Sequence, residues 1–197
     1  SLPRDLSLAT CYMFIITQKY NNMNKIYTKK GDKGKTSTFG GPMSKGDQLA
    51  ITLGTIDELN SWIGVCREEI FNFKFIIFNQ FLMIQTELKN IQSNLMTINS
   101  ILAGSKNQKI RDLETKRLEK LIDRLSDQLP ESKNFIYPVG YLQVARAVCR
   151  RAEREIVKLE IKEKNILKYI NRLSDALFVM ARYINFKNNI PEEVWKT

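Results

Sequence analysis

The chain of 197 residues contains no histidine. That absence removes the commonest general base and the commonest metal ligand together. Cysteine is scarce: Cys11, Cys66 and Cys149 are odd in number and show no C-x-x-C spacing. They read as free thiols of a reducing compartment, two of them packed in helices, and they argue against a zinc or iron–sulfur centre. No apolar run reaches the length of about eighteen residues that a membrane-spanning helix needs. Glycine is also sparing, nine in all, so a place where it concentrates is informative. What the chain has in plenty is positive charge, a net +10. Such a balance invites a polyanion: nucleic acid, a membrane surface or a phosphorylated small molecule. The apolar and charged fractions, 43% and 26%, are those of a soluble globular protein. The length suits a single domain with a sizeable core.

Four of the nine glycines fall between Thr28 and Gly41, with four lysines and four hydroxyl residues. The segment contains Gly34-Lys35-Thr36, the ending of a P-loop. The P-loop pattern also requires glycine five residues before Gly34, and that position is Lys29. Nor does a helix follow at once, so this is not a P-loop. Glycines that bare their N–H groups, beside Lys and Thr side chains, still suit a phosphate chain. The plainer reading is a polar surface loop.

Five amphipathic stretches follow. The first carries Leu49, Leu53, Ile56, Leu59 and Ile63. The second, Ile77, Phe81, Ile84, Leu88, Ile91, Leu95 and Ile98, alternates by four and three without a miss. A period of about 3.5 keeps one seam of a helix facing its neighbours in a left-handed bundle. The third has Leu118, Leu121, Ile122, Leu125 and Leu129 and is closed by Pro130. The fourth has Leu142, Ala145, Val148, Cys149, Ala152, Ile156 and Leu159. The fifth has Ile166, Ile170, Leu173, Leu177, Met180 and Ile184 and stops before Pro191. The expected fold is all-α: a five-helix, left-handed, up-and-down bundle, ferritin-like in general appearance. Residues 1–22 are expected to be an appendage, with Met23 a candidate start, followed by one bundle domain over 23–190 and a tail over 191–197. A little extended structure is expected around Lys25 to Thr28.

Certain polar residues exceed what a bundle needs. Arg146, Arg150 and Arg154 are spaced by four, so they form one cationic line flanked by Arg151 and Glu153. A solvated face laced with Arg–Glu pairs explains this as well as a polyphosphate site does. Asn171, Asp175 and Arg182 share one side of the fifth helix, and Asp57, Glu58, Asn60 and Ser61 interrupt the first. The connection Phe135-Ile136-Tyr137-Pro138 is unusually apolar for a loop. It either plugs the end of the bundle or belongs to a ligand site.

Taken in order, these blocks resemble the PduO-type ATP:corrinoid adenosyltransferases. The likeness is carried by Tyr27–Gly41, Ser44–Asp47, Gly54–Asn60, Ala145–Arg154 and Tyr169–Tyr183. The resemblance implies a homotrimer with active sites between subunits, and transfer of the 5′-deoxyadenosyl group of ATP to the cobalt of cob(I)alamin. It implies that Thr28, Lys29, Gly31, Asp32, Gly34, Thr36, Ser37 and Lys45 hold ATP. Arg150, Glu153 and Arg154 would meet the triphosphate and its Mg²⁺, and Asn171 the nucleotide. Asp57 would pair with Arg146 across the subunit contact. Phe135 would lie beneath the corrin, excluding the lower ligand, and Asp175 is read as structural. A reductase and an adenosylcobalamin-dependent enzyme are implied partners, and the expected location is cytoplasmic, an organelle being the other option. A histidine-free chain suits this chemistry, because cob(I) is its own nucleophile and the protein need only position the reactants and neutralise the leaving group.

The chain departs from the family pattern in two places. Pro138-Val139-Gly140 runs into Tyr141 about five residues early, which should shift Phe135 relative to Arg146 or shorten the helix by over a turn. Lys30 stands where Thr or Asn is common. Two other readings compete: an ATP-binding sensor or assembly protein on the same fold, and a basic helical protein that binds nucleic acid. The second is disfavoured by the absence of any recognition motif and by the acidic neighbours of the arginines.

Overall fold

The computed structural model describes residues 27, 29–72, 78–131 and 134–196. Among them are a two-stranded hairpin, β1 (Lys35–Thr38) and β2 (Gly41–Ser44), and five helices. The helices are α1 (Gln48–Asn72), α2 (Phe78–Leu102), α3 (Asp112–Ser126), α4 (Tyr141–Val157) and α5 (Lys164–Lys187). The chain divides into two units between Lys35 and Thr36. No helix among the described residues is long and apolar enough to cross a membrane.

The apolar stripes become the core. Ile56, Leu59 and Ile63 of α1, Ile84 to Ile98 of α2, Leu118, Leu121 and Leu125 of α3, and the stripes of α4 and α5 are buried in one cluster. Each fully buried Leu or Ile contributes roughly 1.5–3 kcal/mol. Side-chain contacts give the directions. Leu53 meets Asn99 and Asn60 meets Gln92, so α1 and α2 are antiparallel. Gln48 meets Glu155 while Trp62 stacks near Tyr141, so α4 descends along α1. Cys149 meets Ile170 and Val139 meets Asn185, so α5 ascends again. Lys168 with Asp112 and Tyr183 with Gln128 place α3 parallel to α5. The order is up, down, up, down, up, as the periodicity predicts.

The ends of the helices follow local rules. Asp112 and Glu114 sit in the first turn of α3 and Arg124 in its last, each sign matched to the helix dipole. Burial pushes the Cys66 thiol up to about 12 and drives Cys149 and Tyr169 well above their ordinary values. These groups are neutral packing elements, and Tyr169 accepts a hydrogen bond from Asn94 Nδ2 at 3.1 Å.

Three expectations concern the hairpin region, the tail and the N-terminal segment. Extended structure lies in Lys35–Thr38 and Gly41–Ser44, within what reads as a loop; of the stretch Lys25–Thr28 only Tyr27 is described. The described part of the tail is paired with the connection before α4. Trp195 N–H donates to Phe135 O at 2.8 Å and Tyr137 N–H to Glu193 O at 2.9 Å, forming an antiparallel bridge between Ile136 and Val194. The expected N-terminal appendage, 1–22, lies outside the described residues.

Candidate functional site

The hairpin builds the first part of the site. It folds over the start of α1 and the end of α2, enclosing a cleft of about 710 Å³. Thr36, Ser37, Thr38 and Lys45 line it with Phe39, Met43 and Leu53, and Asn99 and Ser100 of α2 lie opposite with Ala103 just past its end. Two local features hold the hairpin there. Gly40 N–H donates to Ala103 O at 3.1 Å, and Gly104, at φ +102°, lies so close that a Cβ on it would stand 3.0 Å from Gly40 N. Asp47 Oδ2 accepts from Ser44 N–H at 2.9 Å, closing the turn that carries Lys45.

Residues Lys29–Lys35 belong to the other unit and form successive turns: Asp32 N–H donates to Lys29 O, and Gly34 N–H to Gly31 O. Lys29 and Gly34 adopt positive φ, 59° and 74°. The glycine at 34 meets a backbone need, whereas Lys29 adopts the left-handed region at a steric cost. Lys29, Asp32 and Gly34 are exposed and Gly31 half-buried. Thr28 lies outside the described residues.

The second part is α4. Its buried stripe, Ala145 to Ile156, turns Arg150, Arg151 and Arg154 outward. Arg151 is paired with Glu58 of α1. Arg154 Nη1 donates to the Arg150 backbone oxygen at 3.0 Å, and neither Arg150 nor Arg154 forms an ion pair with a described residue. Glu153 is turned toward α5, where Asn171 Nδ2 donates to it at 2.8 Å. The expected lattice of Arg–Glu pairs along this face is therefore incomplete. Two cations remain uncommitted, which is what an anionic ligand needs. Glu155, by contrast, is fully engaged: Gln48 and Lys158 donate to it and hold its carboxyl below the usual range.

The third part is the connection before α4. Phe135 is 80% exposed, so it is not a plug over the bundle end. Its ring meets Trp195 edge-on at 6.4 Å. Beside it Pro138, Gly140, Tyr141, Gln143, Val144, Arg146 and Ala147 line a depression of about 490 Å³. Helix α4 begins at Tyr141 directly after Gly140, whose φ of 95° makes the entry.

The predicted residues are thus partly assembled. Thr36, Ser37 and Lys45 share one cleft; Arg150, Glu153, Arg154 and Asn171 share the α4–α5 surface. Asp57 is exposed, and within the chain it does not meet Arg146, whose Nε donates to Gln143 Oε1 at 2.7 Å. Asn171, Asp175 and Arg182 do not converge: Asp175 accepts from Arg172 at 2.7 Å and Arg182 binds Glu192. The hairpin cleft and Phe135 stand at opposite ends of the bundle. Leu53 borders the first and Cys66 packs beneath Gly140 at the second, about 20 Å apart along α1 at the rise of a helix. Sequence reading missed Gly104 and the Glu192–Trp195 segment. A glycine just past a helix end is a recognisable signal; the tail pairing has none.

A helical bundle bearing uncommitted arginines on one helix and a hydroxyl- and lysine-lined cleft under a hairpin defines a class: a protein built to receive a polyanionic small molecule. The family model described as cobalamin adenosyltransferase matches residues 26–184, and the chain belongs to that family. It is 40% identical over 191 residues to the corrinoid adenosyltransferase MMAB of Bos taurus, covering 91% of this chain and 79% of that one. It is 38% identical to the corrinoid adenosyltransferase of Bacillus subtilis, covering 84% and 89%. A variant PduO-type ATP:corrinoid adenosyltransferase from Lactobacillus reuteri, solved in complex with cobalamin and ATP, superimposes with a TM-score of 0.77. That structure is 35% identical and covers 88% of this chain and 100% of its own.

Proposed function

We propose that this chain transfers the 5′-deoxyadenosyl group of ATP to the cobalt of cob(I)alamin, giving adenosylcobalamin and triphosphate. The cobalt–carbon bond forms at C5′ of the ribose as the C5′–oxygen bond breaks, and the electron pair leaves with the triphosphate. The observation that carries this reading is the pair of guanidinium groups, Arg150 and Arg154, that stand on an exposed helix face and form no ion pair with a described residue. They stabilise the charge that grows on the leaving group, an interaction stronger in the transition state than before it. Thr36, Ser37 and Lys45, which share the hairpin cleft, hold the nucleotide. Phe135 stands beneath the corrin and keeps the lower ligand off the cobalt. No histidine, serine or cysteine nucleophile is required, and the two described cysteines are buried and neutral.

Mg²⁺ accompanies the nucleotide in this reading and neutralises phosphate charge. Among the described residues no three acidic or cysteine side chains cluster as a metal cage. That suits an ion held chiefly by phosphates and water with one or two carboxylates, and Glu153 is the carboxylate beside the arginines.

The active site lies between subunits of a homotrimer. The hairpin cleft and Phe135 of one chain lie about 20 Å apart along α1, which supports drawing the two half-sites from different subunits. A neighbouring chain closes that gap, with Asp57 of one subunit paired to the exposed side of Arg146 on the next. The test of activity is anaerobic absorbance spectroscopy with reduced cobalamin, Mg²⁺ and ATP. Conversion of the cob(I)alamin spectrum to a light-sensitive adenosylcobalamin spectrum supports the enzyme. ATP binding without conversion would favour the sensor.

A further inference from the structure

The exposed Phe135 has no core to hold it, yet its backbone is fixed. Trp195 N–H donates to Phe135 O and Tyr137 N–H to Glu193 O, while Asn185 Nδ2 donates to Val139 O at 3.2 Å. The two tail contacts depend on where the residues after α5 lie. Their anchor is Arg182. Its Nε and Nη2 donate to the two oxygens of Glu192 at 2.6 and 3.1 Å, and Nη2 also donates to Pro130 O at 2.9 Å. The Arg182 side chain is only 10% exposed. This guanidinium therefore ties the end of α3's exit, at Pro130, to the tail that pairs with Phe135. Both ends of the 130–137 connection are referenced to one fork-shaped group, whose bidentate geometry fixes direction as well as distance.

From this we infer that Arg182 and Glu192 are positioning residues for corrinoid binding: the ion pair sets the register of the Ile136–Val194 bridge and so the placement of Phe135. The inference rests on the reading of Phe135 as the corrin-facing side chain. A chain with an early-ending connection has little slack there, and a tail strand supplies the constraint that helix packing does not. A bland alternative is that the pair merely stabilises the end of α5. The two differ in what they move: the first changes corrinoid binding selectively, the second only stability.

The experiment compares Glu192→Gln, a chain ending at Pro191, and Phe135→Ala, with KM measured separately for cob(I)alamin and ATP. Amide exchange at Tyr137 and Trp195 is followed in Glu192→Gln and the parent. Expected are a corrinoid KM raised about three- to tenfold in both tail variants, an unchanged ATP KM, and faster exchange at the Tyr137 amide. Arg182→Lys, which keeps the charge but loses the fork, should raise the corrinoid KM as the tail variants do. If Phe135→Ala raises the corrinoid KM while both tail variants match the parent, the positioning role is wrong. If Phe135→Ala also matches the parent, the Phe135 reading falls and takes the inference with it. Unchanged exchange at Tyr137 in Glu192→Gln overturns the proposed coupling even where activity is lost through misfolding.

Discussion

The two ends of the bundle are built by different means. At the hairpin end, backbone and short polar side chains do the work. Gly40 docks on Ala103, Gly104 permits the approach, and Thr36, Ser37 and Lys45 follow within a few residues. At the connector end, Phe135 and Tyr137 are held by Glu193 and Trp195, far away in sequence, through the Arg182–Glu192 pair. The first is local, and its cleft sets Thr36, Ser37 and Lys45 beside apolar Phe39, Met43 and Leu53, a mixture suited to a nucleotide. The second is long-range and apolar, suited to a large hydrophobic ring system. A single chain thus carries two surfaces of different chemistry, and the arginine line of α4 runs between them.

Substitutions that separate the two ends test this contrast. The largest effect is expected at the junction. Arg150→Ala should lower kcat/KM for ATP about a hundredfold or more by removing a charge-assisted contact made to the leaving group; steady-state kinetics at saturating cobalamin reads it. Turnover equal to the parent at low ATP would contradict the role. Next comes the subunit contact. If Asp57 holds the proposed trimer together, Asp57→Asn should promote its dissociation on dilution or raise the ATP requirement, checked by analytical ultracentrifugation and kinetics. A smaller change is expected from Gly104→Ala, whose left-handed backbone and 3.0 Å approach cost about 1–3 kcal/mol. Its Tm should fall by several degrees, and its ATP KM should rise while the corrinoid KM stays put. An equal rise in both would mean that the ends are not independent.

The smallest effect concerns acid. Glu155, on the inner side of the α4–α1 contact, has a carboxyl held low first by the Gln48 hydrogen bond and then by Lys158. A lowered folded value means stability is present above the ordinary carboxylate range and is lost as pH falls through the folded value. Glu155→Gln should therefore lower Tm slightly at pH 7–8, where the contribution is present, and converge with the parent in acid, flattening the acid limb of a Tm-versus-pH curve. Because the group is half-buried and screened in part by solvent, a steep change would point to a different titrating group.

The fold was legible because its signal repeats. Ile84 to Ile98, and Ile166 to Ile184, place an apolar residue on one face at every turn, and all of those positions that are described are buried. Part of the site was legible for a related reason: helical spacing alone puts Arg146, Arg150 and Arg154 on one line. The hairpin was not. Lys35–Thr38 and Gly41–Ser44 are polar, short and without alternation, and only docking on α2 makes them strands. Nor was the exposure of Phe135. An apolar connection normally packs inward, and the pairing that holds this one outward joins residues whose sequence carries no mutual signature. Asn171 and Arg182 show the limit of face arguments: one side of α5 predicts their neighbourhood, yet Glu153 and Glu192 draw them apart.

The central claim is that a hairpin from one subunit and Phe135 from its neighbour make one site. Subunit complementation tests it most directly. Lys45→Ala and Phe135→Ala chains, each of low activity alone, are unfolded, mixed and refolded together. If the half-sites come from different subunits, random assembly regenerates an intact pair at about a quarter of the contacts of a cyclic trimer, and adenosyltransferase activity returns to that extent. If both half-sites belonged to one chain, every site in the mixture would carry one lesion, and activity would stay at the level of the separate variants.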